Sequence, residues 1–506
     1  MSRTKSAFLG TVSSQFYTII SVLISLFSVP IIVKHLNAEI YGLSIIIFQI
    51  TTYLGMFDFG LIAGVERYLA GTREDTEENR ELIQKVISTA VVVYSFIAII
   101  VIVGGNIFAP FAANIFNAPI KYIQIVNHIV SALSILLGFQ LIQRALTAIF
   151  FAHQRQILHN TLSFILNIGN TLLTVIFISQ GYGLWGFVYS QIIMFILSSL
   201  TNVYFFRKHY SYISIKVKKF DWPLVKDMFS YGFSLFLIGI AVQVVFQTDR
   251  IIIGSFVSLT AVSVYSFTTK IPELSSQVIW KVSDNSFPAL VELSKKKDSG
   301  VFLKNSHDKI MKLTISCTST LFWIIVLTSY PFIKLWVGGA YYAGVRFTIL
   351  VAYLYFIQLT FIHVTSVCLN GFGIAKRISA MAMVEAVINL TLSLILVKLY
   401  GIEGVIIATI IGGILTSFWY IPYLAVKYFG GSIFSYAATL LKPFLICSVF
   451  DGILYFLLKD KFHDINSWPA LMFYTLIVSL LCTVPIIVLN RFIFLELKKM
   501  FFGNKS

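Results

Sequence analysis

Charge is scarce in this chain. Asp, Glu, Lys and Arg make up 12% of its 506 residues, about half of the roughly 25% found in soluble domains. So few charges cannot clothe a water-exposed surface of this size, and 58% hydrophobic residues with a mean hydropathy of +0.86 point the same way. The chain reads as a polytopic integral membrane protein. Cysteine is equally rare: Cys317, Cys368, Cys447 and Cys482 lie far apart without Cys-x-x-Cys spacing, which argues against a disulfide framework or a metal centre. No Gly-x-x-x-x-Gly-Lys-Ser/Thr occurs, and Gly371-Phe372-Gly373 falls in a short link with no strand before it, so ATP is not expected as a direct energy source. His-Glu-x-x-His and Gly-x-Ser-x-Gly are also missing. With no expected outer loop above roughly 15 residues, neither a soluble catalytic domain nor the large loop of a glycosyl polymerase is provided for. The chain is not expected to be an enzyme, and no cofactor is indicated. Asp75 and Glu77 form an Asp-x-Glu pair, but without neighbouring glycines or a strand it reads as a solvated turn.

Hydrophobic runs are abundant instead. They recur about every 30 to 35 residues, each long enough for the roughly 20 residues that cross a bilayer. The expected fold is all-α with about fourteen transmembrane helices. The net charge of +16 comes from Lys and Arg dispersed through short loops rather than gathered in a nucleic-acid-binding patch, so its role is orientation. If Arg3 and Lys5 are cytoplasmic, alternate loops (residues 67–85, 155, 207–226, 295–312, 376–377 and 491–505) hold most of the positive charge, and both termini face the cytoplasm. The first span has basic flanks but no small-residue cleavage site and should remain as an anchor.

An internal repeat divides the chain. Tyr182-Gly183-Leu184-Trp185-Gly186 returns 218 residues later as Tyr400-Gly401-Ile402-Glu403-Gly404, and the ungapped match continues through Ser199/Ser417 and Tyr210/Tyr428. Six spans per half is an even number, so the repeat is parallel, related by an axis along the membrane normal. The expected organisation is a six-helix lobe (1–210), a basic cytoplasmic linker (211–227), a second six-helix lobe (228–430), and two additional helices with a basic tail (431–506).

Ionisable residues inside spans are the functional candidates, because each costs roughly 2.5–3.5 kcal/mol at the bilayer centre unless a protein-lined, hydrated cavity receives it. The eighth span, 265–288, carries Lys270, Glu273, Gln277, Lys281 and Asp284 at steps of three, four, four and three, all on one helix face. It reads as the wall of a transport path, with Pro272 able to bend it. The alternative is internal pairing of Lys270 with Glu273 and Lys281 with Asp284. Asp58, in a second span over 40–63, is a candidate ion or proton site, or else a structural partner for Arg67 or another basic side chain. Arg67, Arg144 and Arg250 are candidate cavity cations, Asp249 and Glu385 are further candidates for ion coupling, and His363 is either a hydrogen-bonded structural residue or a proton relay.

Two six-span halves plus two spans, together with Pro30-Ile31-Ile32-Val33 leading to Tyr41-Gly42, Phe57-Asp58-Phe59-Gly60-Leu61 followed by Glu66-Arg67-Tyr68, and Asp249-Arg250-Ile251-Ile252-Ile253-Gly254, resemble the polysaccharide flippases. These are the oligosaccharide-lipid branch of the MOP superfamily, alongside O-antigen and lipid II flippases and multidrug MATE exporters. The resemblance implies two lobes around a cavity that opens alternately to each side of a bacterial cytoplasmic (inner) membrane. It implies a polyprenyl-pyrophosphate-linked oligosaccharide as cargo, a proton or sodium gradient as drive, and surrounding membrane lipids, with a polysaccharide polymerase and chain-length machinery as partners. The alternatives are a MATE-like small-molecule exporter and a non-transporting scaffold of a polysaccharide-synthesis complex. An exporter of cations would favour a net acidic cavity, whereas the three arginines tilt the balance positive.

Overall fold

A computed structural model describes residues 3–72, 76–153, 156–294, 299–370 and 374–491. Asp75, Arg155, the Gly371-Phe372-Gly373 link and the basic tail beyond Arg491 lie outside them. Helix is the only regular structure among the described residues. This is the expected outcome for a chain whose backbone polar groups must be satisfied without water. The helices are α1 Arg3–Gly55, α2 Leu61–Ala70, α3 Glu77–Ile115, α4 Ile123–Ala152, α5 Gln156–Ser179, α6 Trp185–His209, α7 Trp222–Phe256, α8 Leu259–Ser294, α9 Ser299–Trp336, α10 Val345–Ala352, α11 Leu359–Asn370, α12 Ala375–Tyr400, α13 Ile402–Leu415, α14 Ser417–Phe429, α15 Ile433–His463 and α16 Trp468–Leu489. Eleven helices or helix runs among the described residues are long and apolar enough to cross a membrane. The protein is a multi-pass membrane protein.

Local chemistry sets the helix ends. Thr76 accepts the Asn79 N–H at the start of α3, and Glu77 and Glu78 occupy its first turn, where the helix dipole favours negative charge. At the start of α7, Asp221 Oδ1 accepts the Leu224 N–H at 2.8 Å, with Pro223 in the first turn. Lys85 forms an ion pair with the same carboxylate and holds it below the usual carboxylate range. Within α1, Asn37 has φ 62° and joins two helical stretches, its side chain accepting the Ile40 N–H at 3.0 Å to restart the second.

Several boundaries differ from the sequence reading. The second span does not run unbroken over 40–63: α1 ends at Gly55, and Met56 to Gly60 form a turn in which Phe59 (φ 49°) and Gly60 (φ 75°) are both left-handed. Asp58 is therefore in a turn rather than on a helix face. The loop expected over 295–312 is helical from Ser299 onward, where α9 begins. Pro272 does not interrupt α8. The apolar run Val345–Asn370 is interrupted by a π-helical turn, Tyr353–Gln358, and the run Ile402–Phe429 breaks at Thr416 (φ −126°, ψ −93°).

The chain forms two compact units, one of Met1–Gln243 with Ser258–Val262 and the other of Val244–Val257 with Ser263–Ser506. The first part of α7 thus belongs with the first unit, whereas the repeat alone had put all of 228–430 in the second lobe. In the first unit, Tyr94 on α3, Leu141 and Ile149 on α4 and Met228 on α7 share one buried core. In the second, Ile315 and Phe322 on α9 pack with Phe356, Phe361 and Leu440. The repeated Tyr-Gly-x-x-Gly does the same work in both units. Gly183 (φ 57°) and Gly401 (φ 58°) make equivalent left-handed turns. A Cβ on Gly186 would meet Ile178, and one on Gly404 would lie 2.1 Å from Leu396 O, positions again 218 residues apart.

Candidate functional site

In the first unit, α1, α2, α4, α6 and α7 enclose a cavity of about 630 Å³ with Thr51, Thr52, Asp58, Gln140, Arg144 and Gln191 in its wall. A second hollow of about 350 Å³ shares Gln140, Arg144 and Gln191 and adds Gln143, Asn167, Asn170 and Asn202. The polar side chains are amides, hydroxyls and one Asp–Arg pair, a lining suited to many weak hydrogen bonds. Arg144 Nη1 donates to Gly55 O at 3.1 Å and lies 3.5 Å from Asp58 Oδ2, while Asp58 Oδ1 accepts the Gly60 N–H at 3.0 Å. The carboxylate thus fixes both its own turn and the guanidinium. Both Arg144 contacts use Nη1, and the side chain, 40% exposed, borders both hollows.

The partner of Asp58 is therefore Arg144. Arg67, on α2, is exposed and stacks over Tyr231 at 4.6 Å, away from Asp58. The α2 segment meets α7 backbone to backbone: a Cβ on Gly60 would come within 2.2 Å of Gly232 O, and one on Gly64 within 2.5 Å of Met228 O. Gly60-x-x-x-Gly64 is a small-residue contact motif of the kind that lets membrane helices approach closely. The spacing was visible in the sequence, but its partner was not.

In the second unit the α8 face is partly locked. Glu273 does not pair with Lys270; the Arg250 guanidinium lies 3.3 Å from it. Position 250 on α7 reaches Glu273 across helices with a fork of donors, which outcompetes the flexible ammonium three residues away on the same helix. Lys270 is half-buried and makes no ion pair within 4.0 Å among the described residues. Lys281 and Asp284 do pair, at 3.5 Å, and Asp284 also accepts from His363 Nε2 at 2.8 Å. The His363 ring stacks on Trp280 (centroids 4.8 Å apart), and Trp280 Nε1 donates to Thr360 at 2.8 Å. These contacts pin the lower half of α8 to α11. Gln277 remains exposed, whereas Ser276 and Ser283 on the flanking face are fully buried.

The two other carboxylates lie deeper. Asp249 is 3% exposed and accepts from Tyr265 Oη at 2.8 Å; its Oδ1 has no hydrogen-bond partner among the described residues. Glu385 on α12 accepts from Ser417, at the Thr416 break. Beside it Gln358, in the π-helical turn, donates to Ile410 O at 3.2 Å, and Asn389 donates to Thr409 at 2.8 Å. Gln358, Glu385 and Thr409 stand 218 residues after Gln140, Asn167 and Gln191. The positions that line the hollow of the first unit thus recur as a buried polar cluster in the second. Sequence reading noted Glu385 but missed this correspondence, because only Gln140 and Gln358 are identical and the other two pairs share polarity alone. Among the described residues no group of His, Cys, Asp and Glu is arranged to hold a metal ion.

Fold and hydropathy together define a multi-pass membrane protein. The lipid II flippase MurJ, in its inward closed conformation, superposes with a TM-score of 0.67 over 96% of this chain and 99% of its own, at 18% identity. A multidrug resistance MATE transporter of the MOP superfamily, inward-facing, superposes with a TM-score of 0.60 over 85% of this chain and 98% of its own, at 14% identity. These likenesses establish the fold. The chain belongs to the polysaccharide biosynthesis protein family, whose sequence model matches residues 31–346. It is also 26% identical, over 79% of its length and 93% of the other's, to a Shigella flexneri protein described by name as an O-antigen transporter.

Proposed function

We propose that this protein is a secondary-active flippase of surface polysaccharide synthesis. It moves a polyprenyl-pyrophosphate-linked oligosaccharide repeat unit across a bacterial inner membrane by alternating access. The observation that carries this reading is the amide- and hydroxyl-lined cavity of the first unit, with the 40% exposed Arg144 held in its wall. Sugar hydroxyls are satisfied by the amides, and the pyrophosphate by the guanidinium, whose planar fork matches phosphate oxygens. An exporter of organic cations would need a net acidic cavity, and the one carboxylate there, Asp58, is already neutralised by Arg144. Export is driven by a proton or sodium gradient, with Asp249 and Glu385 the carboxylates placed to take part. The orientation puts both termini in the cytoplasm.

The test is deletion of the gene in its own host. Surface polysaccharide should stop, and lipid-linked repeat units should accumulate on the cytoplasmic face. Unchanged polymer export in a strain with no second flippase would overturn the reading.

A further inference from the structure

A carboxylate and three of the four cysteines meet where α15 and α16 pack on α9, a part of the second unit that the flippase reading does not use. Asp451 stands near the middle of α15 and is 1% exposed. Its Oδ2 accepts from Thr320 Oγ1 on α9 at 2.8 Å, and the thiol of Cys482 on α16 donates to the same carboxyl group. Among the described residues its Oδ1 has no hydrogen-bond partner and no cationic side chain pairs with it. Gly452 lets the helices close on this point, since a Cβ there would lie 3.3 Å from the Trp323 ring of α9. A polar track leads to the carboxyl group from the end of α16. Asn490, fully buried, donates to Ser316 on α9 at 3.2 Å, and its own Oδ1 has no partner among the described residues. Ser316 is one helical turn before Thr320, and Cys447, one turn before Asp451, borders both hydroxyls. Amide, hydroxyl and thiol groups thus connect Asn490 with Asp451 beside a core of Leu327, Phe462, Leu471 and Val478.

We infer that Asp451 is a proton-binding site, which rests as the neutral acid and exchanges its proton with water entering along Asn490, Ser316 and Thr320. An ionised carboxylate in the middle of a span needs a cation or several donors. One hydroxyl and one thiol do not supply that, whereas the neutral acid is served by them. A metal ion is the other ligand that a buried carboxylate could take. Hard cations gather six or more oxygens, but sulfur stands on two sides here, and among the described residues no group is arranged to hold a metal. A purely structural polar pair would leave no atom unanswered. The open acceptors on Asp451 and Asn490 are where water and the proton are received. The titratable groups around the carboxyl group are thiols: Cys447 on its own helix and Cys482 on α16, with Cys317 on α9 beside Cys447. The proton comes from water and returns to it, and no other bond changes. Ionisation draws water into the seam and loosens α15 and α16 on α9.

The experiment is infrared spectroscopy of the full-length protein in phosphatidylcholine vesicles. At neutral pH a carbonyl stretch of a protonated carboxylic acid should be present, shift on exchange into heavy water, and be missing from Asp451→Asn, which can keep the Thr320 bond. Thr320→Val should shift the band by removing its hydrogen bond without abolishing it, and this decides the assignment if Asp451→Asn does not fold. Raising the pH should remove the band. The ratio of Cys482 alkylation in the protein to that in Asp451→Asn should then rise at least about fivefold, the division cancelling the thiol's own ionisation. A band spectrum unchanged in Asp451→Asn would mean that the carboxylate is ionised at rest, and would overturn the inference. So would a band abolished by sodium chloride but not by choline chloride at fixed pH, the mark of a metal-ion site. A band that neither heavy water nor alkaline pH alters would also overturn it, since that is a sealed structural acid. None of these outcomes touches the flippase reading, which is decided by the fate of lipid-linked repeat units in the deletion strain.

Discussion

Gly60 and Gly232 touch through their backbones, and each occupies the space that the other's Cβ would need. A Cβ on Gly232 would lie 2.0 Å from Gly60 O, and Gly60 in addition has φ 75°. Gly232→Ala is expected to destabilise the first unit by about 1–3 kcal/mol through overpacking. Gly60→Ala should cost more, because it adds left-handed strain. Thermal melting of the purified protein in detergent checks both, with Gly71→Ala, where a Cβ meets nothing within 4 Å, as the neutral control.

Arg144 should be decisive for transport and secondary for folding. Arg144→Gln is expected to lower export at least tenfold, about 1.4 kcal/mol, by removing the charge at the cavity wall. Arg144→Lys should recover only part of it, since one ammonium cannot reach Gly55 O and Asp58 while still presenting a fork to the cargo. Export measured against the amount of folded protein in the membrane separates the two effects.

For Arg250 and Glu273 the order of importance is reversed. Their side chains are 13% and 23% exposed, so removal of one partner strands the other. Each of Arg250→Met and Glu273→Leu should destabilise the second unit by about 3 kcal/mol, whereas the double variant should regain most of that loss. A double-mutant cycle on unfolding in detergent gives the coupling. Additive losses would mean that the pair does not act as a unit.

Solvent access along α8 is a separate question. Cysteine at Gln277 should react with a membrane-impermeant thiol reagent added from the cytoplasmic side, and cysteine at the buried Ser276 or Ser283 should not. A cysteine at Lys281 should react faster once His363→Ala loosens the Asp284 contact. Mass-shift labelling in inverted vesicles reads all of these.

The Asp221 cap gives a pH dependence with a defined sign. Lys85 lowers its folded pKa below the ordinary value near 3.9, so its contribution is complete above that value and is lost as pH falls through the folded pKa. Melting temperature should therefore decline below about pH 4, and Asp221→Asn, which still caps but does not titrate, should flatten that decline. An unchanged slope in the variant would assign the acid loss to other groups.

How much of this was legible in sequence depends on the range of the interaction. Membrane spans, the repeated Tyr-Gly-x-x-Gly and the charged face of α8 are patterns of composition and spacing, which the sequence displays directly. Asp58 stands out in sequence as a carboxylate in an apolar run, but its partner Arg144 is 86 residues away and no local rule finds it. Glu273 with Arg250 was missed for a related cause: a neighbour at i−3 was on offer, and a tertiary partner with better geometry took the carboxylate.

The π-helical turn Tyr353–Gln358 carries a consequence for how this chain can change. It holds one residue more than an α-helix needs for the same set of contacts. Deleting a residue there would let the wide turn close into an ordinary α-helical one, and the helix on either side would keep its facing, because the turn already absorbs the extra residue. Thr360 and His363 would stay opposite Trp280 and Asp284. The same deletion inside Leu359–Asn370 has no such reserve and would swing all that follows by about 100°: the span can lose one residue at the turn, but not in the helix after it.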